Sequence, residues 1–280
     1  MNGIIIVNKP QGFTSQDVVS KIKKILNEKK AGHTGTLDPL ATGVLPVLLG
    51  NSTKLSKYLV EHDKIYVAKI RLGEKTETGD SEGKIIEEKN VPELSVSKVE
   101  NVLNSFLGKQ MQLPPMYSAI KVNGKKLYEY ARNGQTADIP EREIEVYSIS
   151  LISFENNEIE FEVKVSKGTY IRTLCEDIAK ALGTVGFMAK LQRTIVDRFK
   201  IEDSYTFEQI EKGNYKLWTM EEIFKELPKL ELNDRKRELF LNGVMLTFEV
   251  EEGVYNIYSS GKYIGLGTVR NNLLKRDIVE

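Results

Sequence analysis

The sequence predicts an α+β protein, and three observations carry that expectation. Ile159-Glu160-Phe161-Glu162-Val163-Lys164-Val165 alternates apolar and charged residues without a break, the period of a strand with one buried face. Val18, Val19, Ile22, Ile25 and Leu26 recur instead at helical spacing. Short apolar runs separated by glycine-containing turns close the chain. With 280 residues, 40% of them hydrophobic and 29% charged, there is material for one large domain and a small appendage.

Taken in order, Gly3 to Asn8 is a short apolar strand ending in the turn Lys9-Pro10-Gln11-Gly12. Ser15 can cap a helix that runs to about Lys24. Residues 32–46 show neither helical nor strand periodicity, and Thr53 to Val60 suits a short helix. In Ile65 to Leu72, Tyr66, Ala68, Ile70 and Leu72 share one face of a strand. Residues 73–90 form a polar, acidic hairpin or loop, and Val96 to Leu107 a helix. Strand 159–165 runs through Ser166 to Arg172 into a helix, Thr173 to Leu182, stopped by Gly183. That junction places Tyr170 and Arg172 at a sheet edge, where side chains can enter a cleft. Phe187 to Phe199 carries Leu191 and Arg193. Composition changes near residue 225. Lys229 to Leu241 reads as a charged helix, and Tyr255–Tyr258 and Tyr263–Gly267 as short strands. The expected division is 1–225 and a β-rich 226–280.

Composition excludes several classes. A single cysteine, Cys175, rules out an intrachain disulfide, and with two histidines it leaves too few soft ligands for structural zinc. No metal site is expected, and Cys175 reads as a small buried helix residue. No run of 18 apolar residues occurs and the start lacks signal-peptide features, so a cytoplasmic protein without a membrane association is expected. The formal net charge is zero, but the charges are segregated. Residues 1–30 carry six bases against two acids and 109–142 six against three, whereas 143–162 has six acids and no base. Such segregation allows a basic working face on a neutral molecule; charge alone equally allows scattered solvated surface.

Two segments stand apart. Gly32-His33-Thr34-Gly35-Thr36-Leu37-Asp38-Pro39-Leu40-Ala41-Thr42-Gly43-Val44-Leu45-Pro46 packs three glycines, two prolines, an imidazole and one acid. Glycine lets backbone approach a ligand closely, and Pro39 pushes Asp38 out of the α region. By its residues alone, the stretch is either a connector or a presented carboxylate. Leu113 to Arg132 interleaves Lys121, Lys125, Lys126 and Arg132 with Tyr117, Tyr128 and Tyr130. That mixture suits phosphate contact and base stacking, and also a surface hairpin with tyrosines turned to a core.

Both segments resemble parts of the pseudouridine synthases of the TruB type. Gly32 to Pro46 resembles the family's catalytic loop, in which the catalytic aspartate stands directly before such a proline. Residues 113–132 resemble its RNA-clasping insertion, or thumb, here about 109–142, and the C-terminal strands resemble a short PUA module. The resemblance spans most of residues 3–270, with motifs in the family's order. It implies a mixed, mainly antiparallel sheet flanked by helices and loops, plus a small β-rich PUA-like domain. It also implies an isomerase acting on tRNA, turning uridine into pseudouridine at position 55 of the T loop by base flipping.

By that resemblance Asp38 is the catalytic acid, Arg172 its partner, and Tyr66 lies against the target base. Tyr170 and Leu191 line the uracil pocket, Lys121 and Arg132 touch RNA, and His33 fills the stack that the uridine vacates. Lys9-Pro10 and Thr14-Ser15 match an N-terminal motif that supports the loop. The chemistry breaks the N1–C1′ bond and rejoins C1′ at C5, which requires no redox change, cofactor or metal. It requires a carboxylate at the sugar, acting as nucleophile or as base. A guanidinium within about 4–6 Å is expected to lower the Asp38 pKa by roughly 1–3 units. A self-contained thumb and a short C-terminal module favour a stand-alone monomer needing no protein partner over the guide-RNA-dependent relatives. A second reading is a tRNA-binding folding chaperone whose catalysis is secondary. A glycosidase would place a second working carboxylate beside the first, and the Asp38 loop holds only one acid.

Overall fold

The computed structural model describes residues 1–280 apart from 60, 61, 119, 123, 136 and 137, and the backbone but not the side chain of Arg132. Its main sheet runs Gly3–Lys9, Thr42–Leu49, Gly186–Val196, Lys64–Leu72, Glu158–Val165, Arg142–Glu155 and Gly108–Gln112 in spatial order. Neighbours are antiparallel except Thr42–Leu49 beside Gly186–Val196, so the sheet is mixed and mainly antiparallel. That parallel pair comes unusually close. A Cβ on Gly43, at φ +101°, would stand 2.2 Å from the Arg193 carbonyl oxygen, so only glycine lets the strands meet here.

The expected alternation of Ile65–Leu72 holds in strand Lys64–Leu72, where Tyr66, Ala68, Ile70 and Leu72 are buried. They pack with Phe161 and Val163 and with Ile171, Leu174, Cys175 and Ile178 of helix Ile171–Ala181. Strand Gly3–Lys9 shows no alternation because both its faces are covered. Ile4 and Ile6 join one cluster, while Ile5 and Val7 join another against Val18, Val19 and Ile22 of helix Ser15–Ile25.

Five local expectations change. Thr14 rather than Ser15 caps the first helix, exchanging hydrogen bonds with Asp17 in a capping box and freeing Ser15 for another task. Residues 32–46 are not all loop: Ala31–His33 and Thr42–Leu49 pair as strands, leaving 34–41 irregular. The Thr53–Val60 helix is a 3₁₀ turn, Gly50–Leu55, followed by Ser56–Leu59; Val60 lies outside the described residues. Helix Ile171–Ala181 starts two residues early, with Tyr170 as its N-cap, so Arg172 sits in the first helical turn rather than at a sheet edge. Lys229–Leu241 splits into strand Lys229–Leu232, paired in parallel with Asn256–Ser259, and helix Asp234–Leu241 capped by Asn233.

A second sheet of five strands holds the C-terminal part: Lys229–Leu232, Gly253–Ser259, Lys262–Arg270, Leu273–Val279 and Leu246–Thr247 in spatial order. It docks on the first through a shared core of Ile4, Ile6, Leu48, Leu266 and Ile278. Asp277 reinforces the junction, accepting from Tyr58 Oη at 2.8 Å and Lys57 Nζ at 3.1 Å. Between Gln112 and Arg142, which pair with each other, the chain leaves the main sheet. That excursion contains a small hairpin, Lys121–Val122 with Lys125–Lys126, and helix Leu127–Arg132. Among the described residues no helix is long and apolar enough to cross a membrane.

Candidate active site

The loop 34–41 is held by side chains from three distant segments. Ser15 Oγ accepts from the Leu37 amide at 2.8 Å and donates to the Leu37 carbonyl at 3.2 Å. Lys9, completely buried, donates to the carbonyls of Pro10, Pro39 and Ala41 at 3.0, 3.2 and 2.5 Å. Arg193, also buried, donates to those of Val44, Gly35 and Thr36 at 2.8, 3.2 and 3.4 Å. Buried lysine and arginine are rare unless paired; here loop carbonyls replace counter-ions. Burial lowers Lys9 to about 8, against the pull of Asp38. The N-terminal motif thus supports the loop from below, as expected.

Above the loop lies a cavity of about 570 Å³ whose lining includes Asp38, Tyr66, Tyr170, Arg172 and Leu191. Tyr66 and Leu191 come from neighbouring antiparallel strands, and both also belong to the main core. Tyr170 is fixed by Gln112, whose Nε2 donates to the Tyr170 carbonyl at 3.0 Å while its Oε1 accepts from the Tyr170 amide at 2.8 Å. The polar lining also includes Lys64, Ser118, Arg142, Glu143, Lys167 and Arg193.

Arg172 Nε lies 2.9 Å from Asp38 Oδ2 and 3.8 Å from Asp80 Oδ2. The other two nitrogens point elsewhere: Nη1 donates to the Thr78 carbonyl at 3.0 Å and Nη2 to that of Tyr117 at 2.7 Å. The guanidinium fork therefore clamps backbone, and only its Nε edge faces Asp38. Sequence reasoning missed Asp80, a buried acid held by Thr78 Oγ1 at 2.5 Å and the Glu82 amide at 3.1 Å. Nothing sets it apart within a stretch, 74–106, that carries eight acids.

The expected lowering of the Asp38 pKa is reversed. Desolvation raises it, Arg172 opposes, and the like charge of Asp80 adds to the rise. The Asp38 side chain keeps 34% exposure, so its carboxylate is open to the cavity while its surroundings are poor in water.

His33 lies one residue before the lining segment that begins at Thr34, and its Nδ1 accepts from the Gly35 amide at 3.3 Å. Burial, then the Arg193 charge, pushes its pKa below the ordinary 6.5, which leaves a flat neutral ring at neutral pH. Lys121 is exposed on the hairpin of the excursion and does not line the cavity. Arg132 ends the following helix, and its side chain lies outside the described residues. Among the described residues no cluster of metal-ligating side chains occurs.

A family model for the N-terminal domain of TruB family pseudouridylate synthases matches residues 23–171, and one for the tRNA pseudouridylate synthase B C-terminal domain matches 172–231. A tRNA pseudouridine synthase B from Caldanaerobacter subterraneus subsp. tengcongensis is 44% identical over 279 residues, covering 98% of each chain. One from Francisella tularensis subsp. novicida is 40% identical over 273 residues, covering 95% of this chain and 90% of the relative. Among solved structures, a chain of a Cbf5–Nop10–Gar1 complex matches with a TM-score of 0.71 at 27% identity, covering 99% of this chain and 84% of that one. A chain of an H/ACA RNP bound to a substrate RNA containing 2′-deoxyuridine gives 0.70 at 27%, with the same coverage.

Proposed function

This chain belongs to the TruB family of pseudouridylate synthases, and from that premise we propose that it isomerises the uridine at position 55 in the T loop of tRNA. It is an isomerase that makes pseudouridine in tRNA; the T-loop target and the roles below are our reading. The observation that carries it is one carboxylate, Asp38, 2.9 Å from Arg172 in a cavity walled by Tyr66, Tyr170 and Leu191.

A uridine stacked in a folded loop must flip out, at a cost of a few kcal/mol, to reach such a cavity. The uracil then lies between the Tyr66 ring and the Leu191 side chain, and the sugar C1′ faces Asp38. The carboxylate acts there as nucleophile or as base, the N1–C1′ bond breaks, the uracil turns, and C5 takes the place of N1. Tyr66 stacks on the ring and relays the C5 proton, while N1 is left protonated. The enzyme works alone, with the C-terminal sheet serving as a PUA-like RNA-binding module and the excursion from the main sheet as the thumb. The test is tritium release from C5-labelled uridine in a T-loop transcript without any addition. Release at the position-55 equivalent, matched by pseudouridine in the product, is expected. No release there, or release from another site only, overturns the reading.

Two further outcomes follow. Lys121 and Lys125 are exposed on the hairpin; as phosphate contacts they release counter-ions on binding. Replacing both with glutamine should flatten the slope of log affinity against log salt by about 1.4–1.8; an unchanged slope assigns them to ordinary surface. His33→Ala should slow single turnover on a folded T loop, where unstacking is costly. It should cost much less on a flexible single strand. Equal losses on the two substrates would remove His33 from gap filling.

A further inference from the structure

The cavity is electrically divided. On one side Asp38 and Asp80 share Arg172. On the other, Lys64 and Arg193 flank Gly35: a Cβ there would stand 3.5 Å from Arg193 Nη1 and 3.9 Å from Lys64 Cε. Neither cation forms an ion pair among the described residues. Arg193 donates to three backbone carbonyls and also meets the Tyr66 side chain, and Lys64 Nζ donates to the His62 carbonyl at 2.6 Å. Asp63, next to Lys64 in the chain, is 3.6 Å from Lys164 instead. Burial and the Arg193 charge lower Lys64 to about 8, with the Asp63 charge opposing them only in part.

We infer that Lys64, backed by Arg193, forms an anion subsite for a backbone phosphate of the RNA strand beside the flipped nucleotide. Two cations without a carboxylate match a full negative charge better than a neutral base edge. The direction is also fixed. If the sugar faces Asp38, a phosphate on that side would meet two carboxylates, so the charged backbone must pass on the Lys64 side. Arg142 and Lys167, which also line the cavity, are exposed, and the exposed Glu143 stands next to Arg142 in the chain. This inference rests on the RNA substrate proposed above, and formation of pseudouridine by the unmodified enzyme tests that reading separately.

The experiment measures binding of T-arm hairpins to the wild type, Lys64→Gln and Lys64→Arg across a salt series. In some hairpins a single phosphate flanking the target is replaced by a neutral methylphosphonate. Lys64→Gln should bind about tenfold more weakly at low salt, with a slope shallower by about 0.7, one single-strand phosphate. Lys64→Arg should retain the wild-type slope. One methylphosphonate position should weaken the wild type by a similar factor and add nothing to the loss in Lys64→Gln. A wild-type slope in Lys64→Gln overturns the inference. So does an equal methylphosphonate loss in wild type and variant at every position, which would leave Lys64 holding only the His62 carbonyl.

Discussion

Asp38→Asn is expected to lower turnover by at least about 10²-fold, the scale of a lost general base, and by more if the carboxylate attacks the sugar. Binding of tRNA should change little, because asparagine keeps the size of the side chain. The same substitution should leave the melting temperature at or above that of the wild type. A carboxyl whose pKa is higher folded than unfolded binds protons more tightly in the native state. Its charge therefore costs stability above that folded pKa, and the cost fades as pH falls through it. Asparagine removes the cost at neutral pH. Activity follows the opposite course: the ionised form is required, so turnover declines as pH falls, with its acid limb above the ordinary carboxylate value of 3.8. Turnover by Asp38→Asn within tenfold of wild type, or an acid limb at or below 3.8, would contradict this account.

Much of the site was legible where chemistry and local pattern coincide. The alternation of 65–72 places Tyr66 on the buried face, and the Asp38-Pro39 step keeps the carboxylate on an irregular loop rather than a helix. What stayed hidden depends on pairing between distant segments. Strand register sets Arg193 opposite Tyr66 and brings it under Gly35 and Thr36, a contact across more than a hundred residues. The resemblance gave Lys9 a supporting part, but not its burial, which makes sense only once the carbonyls of Pro39 and Ala41 converge on it. Asp80 carries no local mark at all; its role comes from Arg172 reaching across from another element.

Smaller misreadings have local causes. Thr14 and Ser15 are both good caps, and the choice falls to Thr14 because Asp17 can answer it while Ser15 is needed at Leu37. Lys229-Leu230-Glu231-Leu232 is too short for its alternation to outweigh the charged helix that follows. The reversed shift at Asp38 has a different origin. A sequence shows that a partner arginine exists, but not that a second acid shares it or that the surroundings exclude water.

Arg172→Lys is the second large expected effect, and the reason differs from a simple charge pair. The guanidinium serves three elements at once: the Asp38 loop through Nε, the acidic hairpin through Thr78, and the start of the 113–141 excursion through Tyr117. An ammonium is a compact charge without the planar fork, so it cannot reproduce all three at their present spacing. At least one carbonyl is left short of a donor, at about 1–3 kcal/mol when buried. Turnover should fall by at least about 10²-fold, because Asp38 loses its orientation. The melting temperature should fall as well, by several degrees, in contrast to Asp38→Asn. Measured together, the two variants separate the proposed roles: one removes the carboxylate proposed to react without harming the fold, and the other loosens the frame around it. Loss of turnover in Arg172→Lys without loss of thermal stability would mean the carbonyl clamp holds nothing, and Arg172 would act on Asp38 alone.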